Sequence, residues 1–257
     1  MKKLSKVLIL SILAVFLVAG TAMALPFNSN RPLFLPAGDG SSEDTLQQVF
    51  DDTFGTGVMD AYNGQNTAAL WAEAEANVDA YLITMLASAT GTLGIYSEST
   101  GVTQSLSLGA DNAINFNIND TGDLWVDGVE VQTGFGDVFG FYWESTTGLT
   151  SYTEDDMNGT NGYGPNNDIL ALSYLVPDGS IASLPLFAGG DTVNLDGDND
   201  WVLAFEDQLG FSGDGDFQDA VFLVEDMKPV PEPATMLLLG SGLIGLAVLG
   251  RKKFFKK

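Results

Sequence analysis

The sequence predicts an all-β fold, a β-sandwich of jelly-roll-like form, on three observations. From Glu43 to Lys228 the chain is a series of short apolar runs separated by clusters of Gly, Asn, Asp, Ser and Thr, the way strands and turns alternate in β-rich domains. Ala113 to Asn119 alternates strictly, with Ile114, Phe116 and Ile118 on one face and Asn115, Asn117 and Asn119 on the other, as a half-buried strand requires. Leu124-Trp125-Val126 and Val129-Glu130-Val131 flank Asp127-Gly128, a pair that tolerates positive φ and closes a two-residue hairpin.

Taken in chain order, Lys2, Lys3 and Lys6 precede an apolar run from Val7 to Ala19, followed by the small residues of Ala22-Met23-Ala24. This is the pattern of a secretory signal peptide over residues 1–24, and the run is shorter than the ~20 residues of a membrane span. Export through a Sec-type translocon is expected, with a mature chain that starts at Leu25. A polar, proline-punctuated lead covers 25–42, and the sandwich domain is placed at 43–228. Ala68 to Ala80 is rich in Ala, Glu and Leu, so propensity predicts a short helix there. Further strands are expected at Tyr81 to Ala87, Val138 to Trp143, Ile169 to Leu175, Trp201 to Phe205 and Ala220 to Val224. An internal echo joins Gly94-Ile95-Tyr96-Ser97-Glu98-Ser99-Thr100-Gly101 to Gly140-Phe141-Tyr142-Trp143-Glu144-Ser145-Thr146-Thr147-Gly148, both reading strand then turn. Two copies do not make a solenoid, and a pseudo-symmetric strand pair is the simpler account.

Charge and composition then narrow the chemistry. The chain has 34 Asp and Glu, 10 Lys and Arg, and no His or Cys. Imidazole and thiol catalysis, zinc-finger sites and disulfides are thereby excluded. Eight of the ten bases lie at the two extreme ends, so Leu25 to Pro233 carries 34 acids against Arg31 and Lys228, a net of 2 − 34 = −32. Such a body repels nucleic acid and gathers cations.

The carboxyl end, 229–257, has three parts with three physical roles. Pro231-Glu232-Pro233 is an extended, helix-incompatible handle. Ala234 to Gly250 is an apolar stretch that spans roughly 25 Å as a transmembrane helix. Arg251 to Lys257 is a basic tail that stays cytoplasmic. With Gly240, Ser241, Gly242 and Gly245 inside the span, this tail closely resembles the PEP-CTERM sorting signal of Gram-negative bacteria. The resemblance implies handling by a membrane-embedded, exosortase-type sorting enzyme at an inner-membrane intermediate. It also implies removal of the apolar tail and delivery to the cell surface or an exopolysaccharide matrix. Separately, the segment from Leu82 to Val224, with Phe139-Gly140-Phe141-Tyr142 and Asp214-Gly215-Asp216-Phe217-Gln218-Asp219, looks like a family of secreted β-rich domains of unknown function. Where that family's pattern leads one to expect Asp-His, this chain has Asn167-Asp168.

Carboxylates are the plentiful reactive groups. Asp214, Asp216 and Asp219 lie in a glycine-bearing loop before an apolar strand, and Glu206 and Asp207 end the preceding one. Calcium, which takes six to eight hard oxygens in flexible geometry, suits that pattern. Asp196, Asp198 and Asp200 form a second candidate site. Neither is an EF-hand, since Trp201 and Asp219 stand where the sixth-position Gly belongs. The reading that follows is an exported, non-enzymatic surface or matrix protein, with calcium-binding acidic loops and calcium-bridged contact with anionic exopolysaccharide. The alternatives are a carbohydrate-binding module using Trp125, Tyr142, Trp143 and Trp201, and a glycoside hydrolase using two carboxylates.

Overall fold

The structure is a computed structural model that describes residues 44–66, 68–74, 77–85, 90–109, 112–159, 169–184, 192–195, 199–207 and 215–230. The expected signal peptide, lead segment and transmembrane helix lie outside the described residues. So do Pro231, Glu232 and Pro233, and the candidate ligands Asp196, Asp198 and Asp214. Among the described residues no helix is long and apolar enough to cross a membrane.

Two antiparallel sheets form the sandwich. The first has eight strands in the order β1 (Gln65–Asn66), β11 (Ala171–Leu175), β14 (Trp201–Phe205), β15 (Ala220–Val224), β3 (Val78–Thr84), β6 (Ala113–Ile118), β7 (Leu124–Val126) and β8 (Val129–Gln132). The second runs β16 (Met227–Pro229), β2 (Trp71–Glu73), β9 (Phe139–Ser145), β4 (Gly91–Ser97) and β5 (Thr103–Leu106), with β10 (Thr150–Tyr152) paired to β9. A small hairpin of β12 (Ile181–Ser183) and β13 (Thr192–Asn194), a helix α1 (Leu46–Phe54) and a single helical turn α2 (Asp155–Asn158) complete it.

The apolar runs of β14 and β15 do not alternate because both faces of these strands are covered. Trp201, Leu203 and Phe205, with Phe222 and Val224, meet Trp71, Ile95, Phe141 and Trp143 of the second sheet in one core. Val202, Ala204, Val221 and Leu223 point the other way and pack under Leu46, Val49 and Phe50 of α1. The first sheet is therefore a middle layer, and its central strands are buried at every position. By contrast, β6 keeps the alternation expected of it, with Ile114 and Phe116 buried between half-buried neighbours. The Asp127-Gly128 turn has φ of 48° and 75°, the doubly positive turn that matches strand twist, and it joins Val126 to Val129 as predicted.

One local expectation changes. The helix expected at 68–80 is not formed; its described residues hold β2 and the start of β3. Trp71 is fully buried, pairs with Phe139, and stacks edge-on with Phe141 and Trp201, so tertiary pairing overrides helix propensity. The alternating Ala72-Glu73-Ala74-Glu75-Ala76 suits a period of two as well as a helix. The helix that does form is α1. Thr45 caps it, with Thr45 Oγ1 accepting from Gln48 N and Gln48 Oε1 accepting from Thr45 N, a capping box legible as Thr-x-x-Gln in the sequence. Gly55 at φ 95° ends it.

The internal echo has a structural cause. Strands β4 and β9 pair with Gly94 opposite Tyr142, Ile95 opposite Phe141 and Tyr96 opposite Gly140. Each tyrosine ring lies over the glycine of the other copy, where a Cβ would overlap the ring. The repeated Gly-x-Tyr is thus one reciprocal contact made twice about a pseudo-dyad, and the turns after both copies carry positive-φ glycines, Gly101 and Gly148. Aromatic cover of a strand glycine restores the packing that the missing side chain leaves.

Candidate cation site

Register brings the site together. Phe205, the last residue of β14, pairs with Ala220, the first of β15. Glu206 and Asp207 therefore leave one strand where Asp219 enters the next. Carboxylate oxygens of Glu206, Asp207 and Asp219 lie within 4.8 Å of one another, and all three residues are buried, at 0, 4 and 7% exposure. Asp207 N donates to Asp219 Oδ2 at 2.7 Å, tying the two strand ends. Ser151 Oγ of β10 donates to the Glu206 carbonyl at 2.6 Å, and Glu206 N donates to Leu170 O at 3.1 Å, so three separate segments hold the backbone here.

The loop before β15 is set by two positive-φ residues, Gly215 at 70° and Phe217 at 55°. Phe217 carries this conformation although it is not glycine, and its ring is buried in the core under α1. That burial opposes the backbone cost, which is of order 1–3 kcal/mol. Asp216, predicted to be a ligand, is buried and accepts from Gln218 Nε2 at 2.6 Å and from Gln218 N at 3.4 Å. The structure brings together three of the five residues the sequence nominated; Asp216 is buried in the same loop outside that group, and Asp214 lies outside the described residues.

A buried acidic cluster of this kind could hold a metal ion. Among residues 44–230 the single basic side chain is Lys228, exposed on β16 beyond the far end of β15. Hydrogen bonds can share protons among the carboxylates but supply no positive charge, and a bound cation is one way to balance carboxylates buried this close together.

The opposite end of the same two strands is acidic too. Asp200 precedes β14, while Glu225 and Asp226 follow β15. Asp226 N donates to Asp200 Oδ1 at 3.4 Å. Burial pushes the Glu225 carboxyl up to about 7, with Asp200 and Asp79 adding to the rise and a hydrogen bond from Tyr81 opposing it. Asp79 in turn accepts from Asn115 Nδ2 at 2.9 Å. Of the second candidate triad, Asp200 alone is among the described residues.

Near this end a cleft of about 360 Å³ is lined by Ala72, Glu73, Ile118, Asp120, Asp137 and Lys228, among others. Glu73 accepts a hydrogen bond from Ile118 N across the two sheets. Burial is the main cause that raises its carboxyl to about 7; the amide opposes the rise and Asp137 adds to it. No sequence pattern marked Glu73. Its position in an alternating Ala-Glu run was the available signal.

The aromatic residues nominated for a sugar platform are mostly core. Trp143 and Trp201 are each 1% exposed, Trp143 against Phe222 and Trp201 against Trp71, with Trp201 Nε1 donating to Met227 O at 2.8 Å. Tyr142 is 5% exposed, its ring over Gly94. These three present no face to solvent: Trp143 and Trp201 fill the space between the two sheets, and Tyr142 packs with Leu70 and Tyr96 on the other face of β9, while Trp125 is half-exposed.

No curated protein and no solved structure matches the chain significantly. Residues 229–253, beginning at the last residue of β16, match the family of the PEP-CTERM protein-sorting motif. The chain is accordingly an exported protein that carries a carboxyl-terminal PEP-CTERM signal and is sorted as an exosortase substrate.

Proposed function

We propose that the body between signal peptide and sorting tail is a non-enzymatic cell-surface or exopolysaccharide-matrix domain whose fold is completed by calcium at Glu206, Asp207 and Asp219. The observation that carries this reading is the convergence of three buried carboxylates on rigid strand ends. An all-oxygen donor set without His or Cys favours a hard cation. Calcium accepts irregular carboxylate and carbonyl geometry more readily than magnesium, which demands a near-ideal octahedron. Because the cluster is buried, the ion is structural, and contact with anionic polysaccharide falls to divalent ions held by exposed carboxylates. Calorimetric titration of the metal-free protein tests the reading. A calcium-selective site lost in Asp219→Asn and in Glu206→Gln supports it, and equal weak responses to calcium and magnesium remove it.

One observation favours a second reading. Glu73, proton-bearing near neutral pH, stands in a cleft with Asp120 and Asp137, the makings of a carboxylate-pair glycoside hydrolase. Turnover of a chromogenic glycoside panel, abolished in Glu73→Gln, would replace the non-enzymatic reading.

A further inference from the structure

The sorting signal does not hang from a linker. Strand β16 is the edge of the second sheet, and it pairs with β2 through Met227 opposite Glu73, Lys228 opposite Ala72 and Pro229 opposite Trp71. Beyond the strand, Val230 N still donates to Leu70 O at 2.9 Å. The pairing thus runs up to the residue before Pro231, and the matched sorting motif begins inside it, at 229. Only Pro231, Glu232 and Pro233 separate the last paired residue from the apolar stretch, a reach of at most about 11 Å.

An enzyme that cuts a peptide takes it in extended form and needs the residues on both sides of the cut free of other pairing. On the body side of the handle those residues are Lys228, Pro229 and Val230, and all three are engaged with β2 or its approach. The strand is built so that it can leave. It is paired on one side only, it is short, and Lys228 and Pro229 are exposed. Pro229 contributes no amide hydrogen to any ladder, which suits an edge position. Release can stop at Met227, which is fully buried and whose carbonyl accepts from Trp201 Nε1.

We propose that β16 is a releasable strand of the sorting substrate: Lys228 to Val230 must detach from β2 before the sorting enzyme can process the handle, so the folded body sets the rate of its own sorting. This rests on the sorting motif and not on the calcium reading. The partner is the membrane enzyme that processes the tail, and the surface it requires is the freed edge of residues 228–230.

The chain has no cysteine, so an introduced pair has no native competitor. The experiment expresses the full chain together with an exosortase-type enzyme in a Gram-negative host and follows loss of the tail by mass. In Ala72→Cys/Lys228→Cys, with the cross-strand disulfide confirmed by mass, tail removal is expected to fall by roughly tenfold or more against either single-cysteine variant, because cleavage follows the open population. Reduction restores it. A second variant adds six Gly and Ser residues between Val230 and Pro231 to the locked chain, and it is expected to be processed at the unlocked rate, which shows that the lock acts on reach and not through misfolding. Equal processing of the locked and single-cysteine chains overturns the proposal, as does failure of the insertion to rescue a locked chain that melts normally. Failure of the unmodified chain to be processed, alongside Glu232→Ala, would count against the sorting assignment itself.

Discussion

At one pole of the β14–β15 pair stand Glu206, Asp207 and Asp219; at the other stand Asp200, Glu225 and Asp226. The strands between them are wholly apolar and buried, so both poles are where the chain returns charge to its backbone. They face the same problem of burying carboxylates close to one another. At the second pole Glu225 is only partly buried, and a proton is its counter-charge at neutral pH. At the first pole three carboxylates are packed within 4.8 Å at near-complete burial. The difference teaches that sequence acidity alone does not distinguish a proton-balanced pole from a cation-suited one. Depth and convergence do.

The largest expected effect tests the first pole. Saturating calcium should raise the melting temperature over EDTA by about 5–15 °C, more than magnesium at equal ionic strength, because a ligand at hundreds of times its Kd adds a few kcal/mol. Asp219→Ala should erase the calcium increment while Asp200→Ala leaves it. An increment that survives Asp219→Ala would dissolve the contrast between poles.

Gly94→Ala provides a charge-free reference. A methyl group under the Tyr142 ring should cost about 1–3 kcal/mol, equally in calcium and EDTA and equally at pH 5 and pH 8. If that loss varies with calcium, the second sheet is coupled to the acidic pole and the melts must be read jointly.

The second pole is expected to respond to pH. The Glu225 carboxyl titrates near 7 in the fold against 4.5 in the unfolded chain. Between those values the unfolded chain has released a proton that the folded chain still holds, so stability falls as pH rises through the window and is level above it. Glu73 shifts in the same direction and shares the window. Glu225→Gln should therefore stabilise the protein at pH 8 by about 1 kcal/mol, a value discounted for partial exposure, and have little effect at pH 4.5. A chemical-denaturation series across pH 4.5–8 measures it, and a gain that is the same at every pH would separate the substitution from titration.

Tyr81→Phe has the smallest expected effect. Loss of the hydrogen bond to Glu225 should cost about 0.5–1.5 kcal/mol at pH 8, less at pH 5, and shift the midpoint of the pH dependence upward. A carboxyl chemical-shift titration of Glu225 reads that midpoint directly.

Much of the fold was legible where a few neighbouring residues carry the signal. The Asp127-Gly128 hairpin, the alternation of β6 and the apolar runs of β14 and β15 all lie where the pattern placed them. Helix α1 was legible and passed over, for Thr45 and Gln48 spell a capping box. The helix expected at 68–80 failed because Ala-Glu alternation fits two periods, and the burial of Trp71 chose between them. In the candidate site, Glu206, Asp207 and Asp219 were nominated from loop composition, but so were Asp216 and Asp200, and nothing local told them apart. Tyr142, Trp143 and Trp201, named for the alternative sugar platform, are buried for a related reason: a strand shows which residues share a face, not whether another layer covers it.

The sequence by itself determined the sorting tail, the all-β class and the absence of imidazole and thiol chemistry, because each is written in composition or in a short contiguous motif. Tertiary structure decided which carboxylates meet, which aromatics are core, and that an edge strand runs into the sorting handle. Those outcomes depend on which strands become neighbours and in what register. The Phe205–Ala220 pairing brings Asp207 and Asp219 together, and the β16–β2 pairing joins residues more than 150 positions apart, beyond the reach of any local pattern.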